Sequence, residues 1–177
     1  MRIACLGWGS LIWKPGVLPV AGEWKQDGPR LPIEFSRISD GGELATAICL
    51  NADPVPVLWA WLDVDNLSTA IQLLKQREAV PAERNDGIGS LKVTDTSAGL
   101  LAEWAKARNI DALIWTALPP RNDHVENCIP PIEQAVAYLT ALQGETREHA
   151  RDYIQRVPAQ IDTAYRRIIV ESLGWQS

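Results

Sequence analysis

Apolar residues recur along this chain in two rhythms, and the rhythms divide it. Up to about residue 118 the runs are short and broken by glycine, proline and aspartate, the mark of strands joined by turns. Ile3, Ala4, Cys5 and Leu6 form a continuous apolar run that predicts a buried first strand, and Gly7 and Gly9 end it abruptly. Residues 31–39 predict a strand, Asp40-Gly41-Gly42 a hairpin turn, and residues 43–50 the returning strand. Residues 51–56 read as another turn. In the strand expected over 57–64, Val57, Trp59 and Trp61 share one face and Leu58, Ala60 and Leu62 the other. Two apolar faces imply a central strand or the wall of a barrel.

Helical spacing appears first at Leu67, Ala70, Ile71 and Leu74. It predicts a helix that Asp63 or Asp65 can cap and that runs to about Glu78. A loop over 81–89 follows, then a short strand near 91–94. A helix over 97–108 is expected to carry Leu100, Leu101 and Trp104 inward, and residues 110–118 read as a strand. Residues 119–131 form a polar loop. The remainder reads as helices over 132–142, 146–157 and 161–173, with Pro158 between the last two and a stripe of Ile161, Ala164, Tyr165 and Ile168. No repeat or long linker interrupts this order. One α+β domain over residues 1–177 is expected, strand-rich over 1–118 and helical over 130–177.

Composition narrows the function. With 17 Lys and Arg against 22 Asp and Glu, and no basic stripe, nucleic acid is not an expected partner. No apolar run approaches the ~20 residues that span a bilayer. The first residues lack the charged start, apolar stretch and cleavage site of a signal peptide, so neither membrane nor secretion is expected. Cys5, Cys49 and Cys128 are odd in number and scattered, which argues against disulfides and for a reducing cytoplasm. His124, Glu126 and Cys128 alternate in the polar loop, as a metal site or a Cys–His pair would. One short loop supplies all of them and no second cluster exists, so no metal is expected.

The candidate chemistry lies in the stretch LGWGSLIWKP over residues 6–15. The backbone N–H groups of Gly9, Ser10 and Leu11 can turn toward a common point that accepts a carboxylate or phosphate. Trp8, Leu11, Ile12 and Trp13 would wall such a cradle; the alternative is a tight turn at the edge of a core. A second feature lies one turn beyond Leu67, Ile71 and Leu74, where the apolar stripe lands on Glu78. Burial and the negative end of a helix both favour the protonated form of a carboxyl group, so a group placed there can exchange protons near neutral pH. The alternative is a frayed helix end, with Glu78 swung out to Arg77 or Lys75.

Taken together, a strand, a GxGSL loop, further strands, a tryptophan-bearing strand and a helix ending in Glu resemble the gamma-glutamylcyclotransferase family. Gly9-Ser10-Leu11 match its YGSL-type loop, with Trp8 where Tyr is usual, and residues 11–16 look like the branch acting on glutathione. Glu78 matches the glutamate of a pattern like D-x-x-E-G, with Ala79 in the glycine position. The resemblance covers residues 2–78. It implies a small mixed β-barrel flanked by helices, with the pocket at its mouth beside the first loop. It also implies that Trp8, Gly9, Ser10 and Leu11 cradle a small gamma-glutamyl substrate while Glu78 serves as general acid and base. The product would be 5-oxoproline and a released amine, made without metal or cofactor. Arg37, in the strand over 31–39, is a candidate for a second substrate carboxylate; otherwise it is a surface arginine on an edge strand. A different class of function keeps the fold without turnover, as a small-molecule-binding or protein-interaction domain. Residues 161–173 would then offer a partner or homodimer surface.

Overall fold

The computed structural model describes residues 1–176. In chain order its first elements are β1 (Ile3–Gly7), β2 (Val20–Lys25), β3 (Arg30–Ile38), β4 (Leu44–Ile48), β5 (Pro54–Pro56) and β6 (Leu58–Leu62). Next come α1 (Leu67–Arg77), β7 (Ile88–Lys92), α2 (Leu100–Lys106), β8 (Ala112–Thr116), β9 (Arg121–Asn122) and β10 (Val125–Glu126). Helices α3 (Ile132–Ala141), α4 (Gly144–Arg156) and α5 (Ala164–Leu173) complete the α+β chain. Among the described residues, no helix is long and apolar enough to cross a membrane. The chain folds into two compact units that alternate along the sequence. One comprises Met1–Gly7, Leu11–Arg30 and Pro56–Leu118; the other comprises Trp8–Ser10, Leu31–Val55 and the chain from Pro119 onward.

The first unit is built on a mixed five-stranded sheet, a curled half-barrel in the order β2-β6-β1-β8-β7. β1 pairs antiparallel with β6 and parallel with β8, and all five of its residues are buried. Its continuous apolar sequence follows from that position, because a strand covered on both faces has no place for a polar side chain. One face of the sheet, with Ile3, Cys5, Leu62, Ala112 and Ile114, packs against Ala70 and Leu74 of α1. On β6, Trp59 and Trp61 share a face as expected, their rings edge to face at 5.0 Å. The Trp104 ring of α2 stands edge to face on Trp59 at 5.4 Å. Asp27 ties this cluster together, accepting from the Trp59 indole at 2.7 Å and pairing with Arg108 at 3.1 Å. The Trp59 hydrogen bond, aided by Arg108, holds the Asp27 carboxyl below its ordinary value.

Three expectations for this unit need correction: β7 spans Ile88–Lys92, so the strand expected near 91–94 begins inside the loop expected over 81–89, and both helix starts differ. Asn66, not Asp63 or Asp65, caps α1, its side chain accepting from the Thr69 N–H at 2.9 Å. Helix α2 starts at Leu100 rather than residue 97, because the Ser97 hydroxyl accepts from the Thr94 N–H in a preceding turn. The shift moves the buried face onto Ala102 and Ala105 and leaves Leu100 61% exposed.

In the second unit the sheet order is β10-β9-β3-β4, with β5 also pairing β3. The expected hairpin joins β3 to β4, closed by the Gly42 N–H on the Ser39 carbonyl at 3.0 Å. Residues 119–131, read as a loop, contain the β9–β10 hairpin. Its turn residues Asp123 and His124 both have positive φ, 51° and 63°, the conformation of a two-residue hairpin turn. Neither is glycine, so the turn left no signal in the sequence.

Helix α5 begins at Ala164, where Thr163 caps it by accepting from the Arg166 N–H at 3.1 Å. That start turns Ile169 inward and leaves Ile168 43% exposed, a correction to the expected stripe; Ile161 is buried but precedes the helix. Arg166 donates to the carbonyls of Ile154, Val157, Pro158 and Ile161, which lie at and beyond the end of α4. It thereby satisfies acceptors that a helix terminus leaves unpaired.

Glu34, on β3, is a buried carboxylate, only 5% exposed. Its oxygens accept from the Phe35 N–H at 2.9 Å and the Tyr165 N–H at 3.2 Å, in the first turn of α5. Burial pushes its carboxyl above the ordinary value of 4.5, while hydrogen bonds from Thr163, Phe35 and Tyr165 and the charge of Arg167 oppose the shift. A folded state that holds this proton more tightly than the unfolded chain loses stability as pH rises from the unfolded value through the raised one. Thermal midpoints of the wild type should therefore fall from pH about 4.5 upward relative to those of Glu34→Gln. Parallel curves for the two proteins would contradict this assignment.

Candidate active site

Beyond β1 the chain turns sharply through residues 8–13. Leu11 enters the first unit's core beside Cys5, Leu18 and Leu74. Trp8, Gly9 and Ser10 belong to the second unit, where the Thr46 hydroxyl donates to the Trp8 carbonyl at 3.2 Å. That spends the Thr46 proton and leaves the Tyr153 hydroxyl, 2.9 Å away, as donor to Thr46; Tyr153 accepts in turn from the Thr46 N–H at 3.0 Å. Both hydroxyls crowd Gly9. A Cβ there would stand 2.5 Å from Thr46 Oγ1 and 2.6 Å from Tyr153 Oη, so only glycine lets the loop approach them. The sequence analysis missed Thr46 and Tyr153, which occupy unremarkable positions in β4 and α4.

In the first unit, α1 ends in two reverse hydrogen bonds. The Ala79 N–H donates to the Gln76 carbonyl at 3.2 Å and the Val80 N–H to the Lys75 carbonyl at 2.9 Å, with Ala79 at φ 55°. This is the Schellman ending, in which the residue after the C-cap takes the left-handed conformation. Glu78 is that C-cap, so the helix closes on it rather than fraying. The Glu78 side chain is 13% exposed, yet it does meet Arg77, Oε1 to Nη1 at 2.6 Å. Arg77 also donates from Nε and Nη2 to the Lys14 carbonyl, at 3.0 and 2.8 Å. The Cys5 thiol feels both groups: burial pushes it well above its ordinary value, Glu78 adds to that and Arg77 opposes it. A thiol held in that neutral state is not a nucleophile.

Arg37 lies in the second unit on β3, a strand flanked by β9 and β4 rather than an edge. Its guanidinium grips Glu126 through two bonds, at 2.7 and 3.2 Å, and donates to the Pro119 carbonyl at 2.8 Å. His124 instead meets Arg121, Nδ1 to Nη2 at 3.3 Å. Among the described residues, no group of His, Cys, Asp and Glu side chains is placed to hold a metal ion.

No family model matches the sequence, and no curated protein sequence matches it. A solved structure does match: a gamma-glutamyl cyclotransferase specific to glutathione, from yeast, aligns over 98% of both chains at 12% identity and a TM-score of 0.51. The chain has a gamma-glutamyl cyclotransferase-like fold. The end of α1 has a consequence for stability. Glycine suits the left-handed position that follows the C-cap, and here Ala79 occupies that position at a steric cost of ~1 kcal/mol. Ala79→Gly should accordingly raise unfolding stability by roughly 1 kcal/mol, measured by denaturant titration. A destabilised variant would mean that the alanine methyl contributes packing worth more than the strain.

Proposed function

We propose that this protein cyclises a small gamma-glutamyl amide or peptide to 5-oxoproline and releases an amine. The observation that carries the reading is Glu78, a largely buried carboxylate fixed at the end of α1 in the unit that also contains Leu11 and Lys14. The glutathione-specific cyclotransferase of the same fold supports the substrate class. Trp8, Gly9, Ser10 and Leu11 are assigned to hold the glutamyl group through backbone N–H groups, as an anion cradle does.

The reaction is intramolecular. The substrate's free alpha-amine attacks its own gamma-carbonyl carbon, a C–N bond forms in the five-membered ring, and the original amide C–N bond breaks. The proton lost by the attacking nitrogen passes to Glu78, and Glu78 returns it to the departing nitrogen, so one carboxylate serves as base and then as acid. Holding the glutamyl chain folded for attack supplies much of the acceleration, since the reacting atoms are already tethered. Loop N–H groups near the carbonyl oxygen would stabilise its developing charge. Arg37 is assigned no direct step, because its guanidinium already binds Glu126.

The test is 5-oxoproline release from a panel of gamma-glutamyl compounds that includes glutathione. Glu78→Gln should cut turnover by ~10²–10⁴-fold while the thermal midpoint stays near that of the wild type. Substantial activity in that variant would remove Glu78 from the mechanism. Binding of gamma-glutamyl compounds without any 5-oxoproline from the wild type would make this a binding domain instead.

A further inference from the structure

We infer that Arg77 is a positioning residue, which aims the Glu78 carboxylate and ties it to the chain segment that follows the glycine loop. The inference rests on the reading of Glu78 as general acid and base. Three separate contacts of one side chain support it. The guanidinium Nη1 meets Glu78 Oε1 at 2.6 Å. Its other edge donates twice to the Lys14 carbonyl, at 3.0 and 2.8 Å. The aliphatic stem passes over Gly16, where a Cβ would come within 3.3 Å of Arg77 Cγ. Gly16 itself has φ 60°, so its conformation favours glycine and keeps the path of the stem open.

A guanidinium suits this task because its donors are fixed in one plane. With one edge on a backbone carbonyl, the direction of the donor facing Glu78 is set, and the carboxylate has one preferred orientation. The Schellman ending of α1 fixes the backbone beneath it. Glu78 is thereby held from both its main chain and its side chain. Lysine offers a rotatable point charge and would satisfy either acceptor without aligning them. A base displaced by about 1 Å can lose ~10²-fold in rate while the substrate still binds.

Arg77→Lys and Arg77→Ala should therefore lower kcat by roughly 10–100-fold and move KM far less, with thermal midpoints measured alongside. In Arg77→Ala, added methylguanidinium chloride should restore part of kcat, and sodium chloride at equal ionic strength should not. Gly16→Ala, which leaves both charges in place, should give a milder kcat loss by pressing on the stem. Unchanged kcat in Arg77→Ala overturns the assignment. So does a fall in kcat that tracks lost thermal stability and resists methylguanidinium, which describes a purely structural arginine. If Glu78→Gln keeps its turnover, the underlying reading fails, and the assignment of Arg77 fails with it. An intact effect of Glu78→Gln beside an indifferent Arg77→Ala rejects the positioning role alone.

Discussion

The first strand is buried on both faces, and that constraint governs where chemistry can begin. Five consecutive apolar or glycine residues, Ile3–Gly7, fill β1 and leave it without a functional side chain. Polar backbone becomes available only where the strand ends, and the chain there must turn within very little space. Gly7 is pressed by the Trp24 ring, and Gly9 by the hydroxyls of Thr46 and Tyr153. The glycines are thus demanded by close neighbours as much as by any ligand.

Within the same unit, α1 places an acid where helix electrostatics disfavour one. The C-terminus of a helix carries partial negative charge, and a carboxylate there gains nothing from it. Lys75 and Arg77 occupy the last turn and offset that charge. The Schellman ending then brings the chain away from the helix immediately after Glu78, so the acid does not sit on a flexible tail. Stability and placement derive from the same few residues, 75–80.

Much of this arrangement was legible in the sequence, for reasons that differ by element. The two-sided strands β1, β6 and β8 announced themselves because burial on both faces forbids polar residues. The end of α1 at Glu78 was readable because a charge fell on an apolar stripe. Its cap was misplaced because Asp63, Asp65 and Asn66 are chemically near-equivalent caps, and only backbone geometry chooses between them. The β9–β10 hairpin was missed because Asp123 and His124 adopt left-handed conformations without glycine. Helix α5 was phased wrongly because Thr163 starts it three residues later than the stripe implied. Thr46 and Tyr153 were invisible for a plainer reason: their importance lies in a meeting between β4 and α4, elements far apart in the chain, and pattern along a chain does not record such meetings.

Cys5 carries a consequence of a different kind. Its sulfur is sealed inside the first unit next to the charges of Glu78 and Arg77, whereas Cys128 is only half-buried. A thiol reagent in solution meets Cys128 first, and reaches Cys5 only when the sheet parts from α1. The rate of Cys5 labelling is thus a native clock for how often the scaffold beneath the acid opens, running inside the unmodified protein.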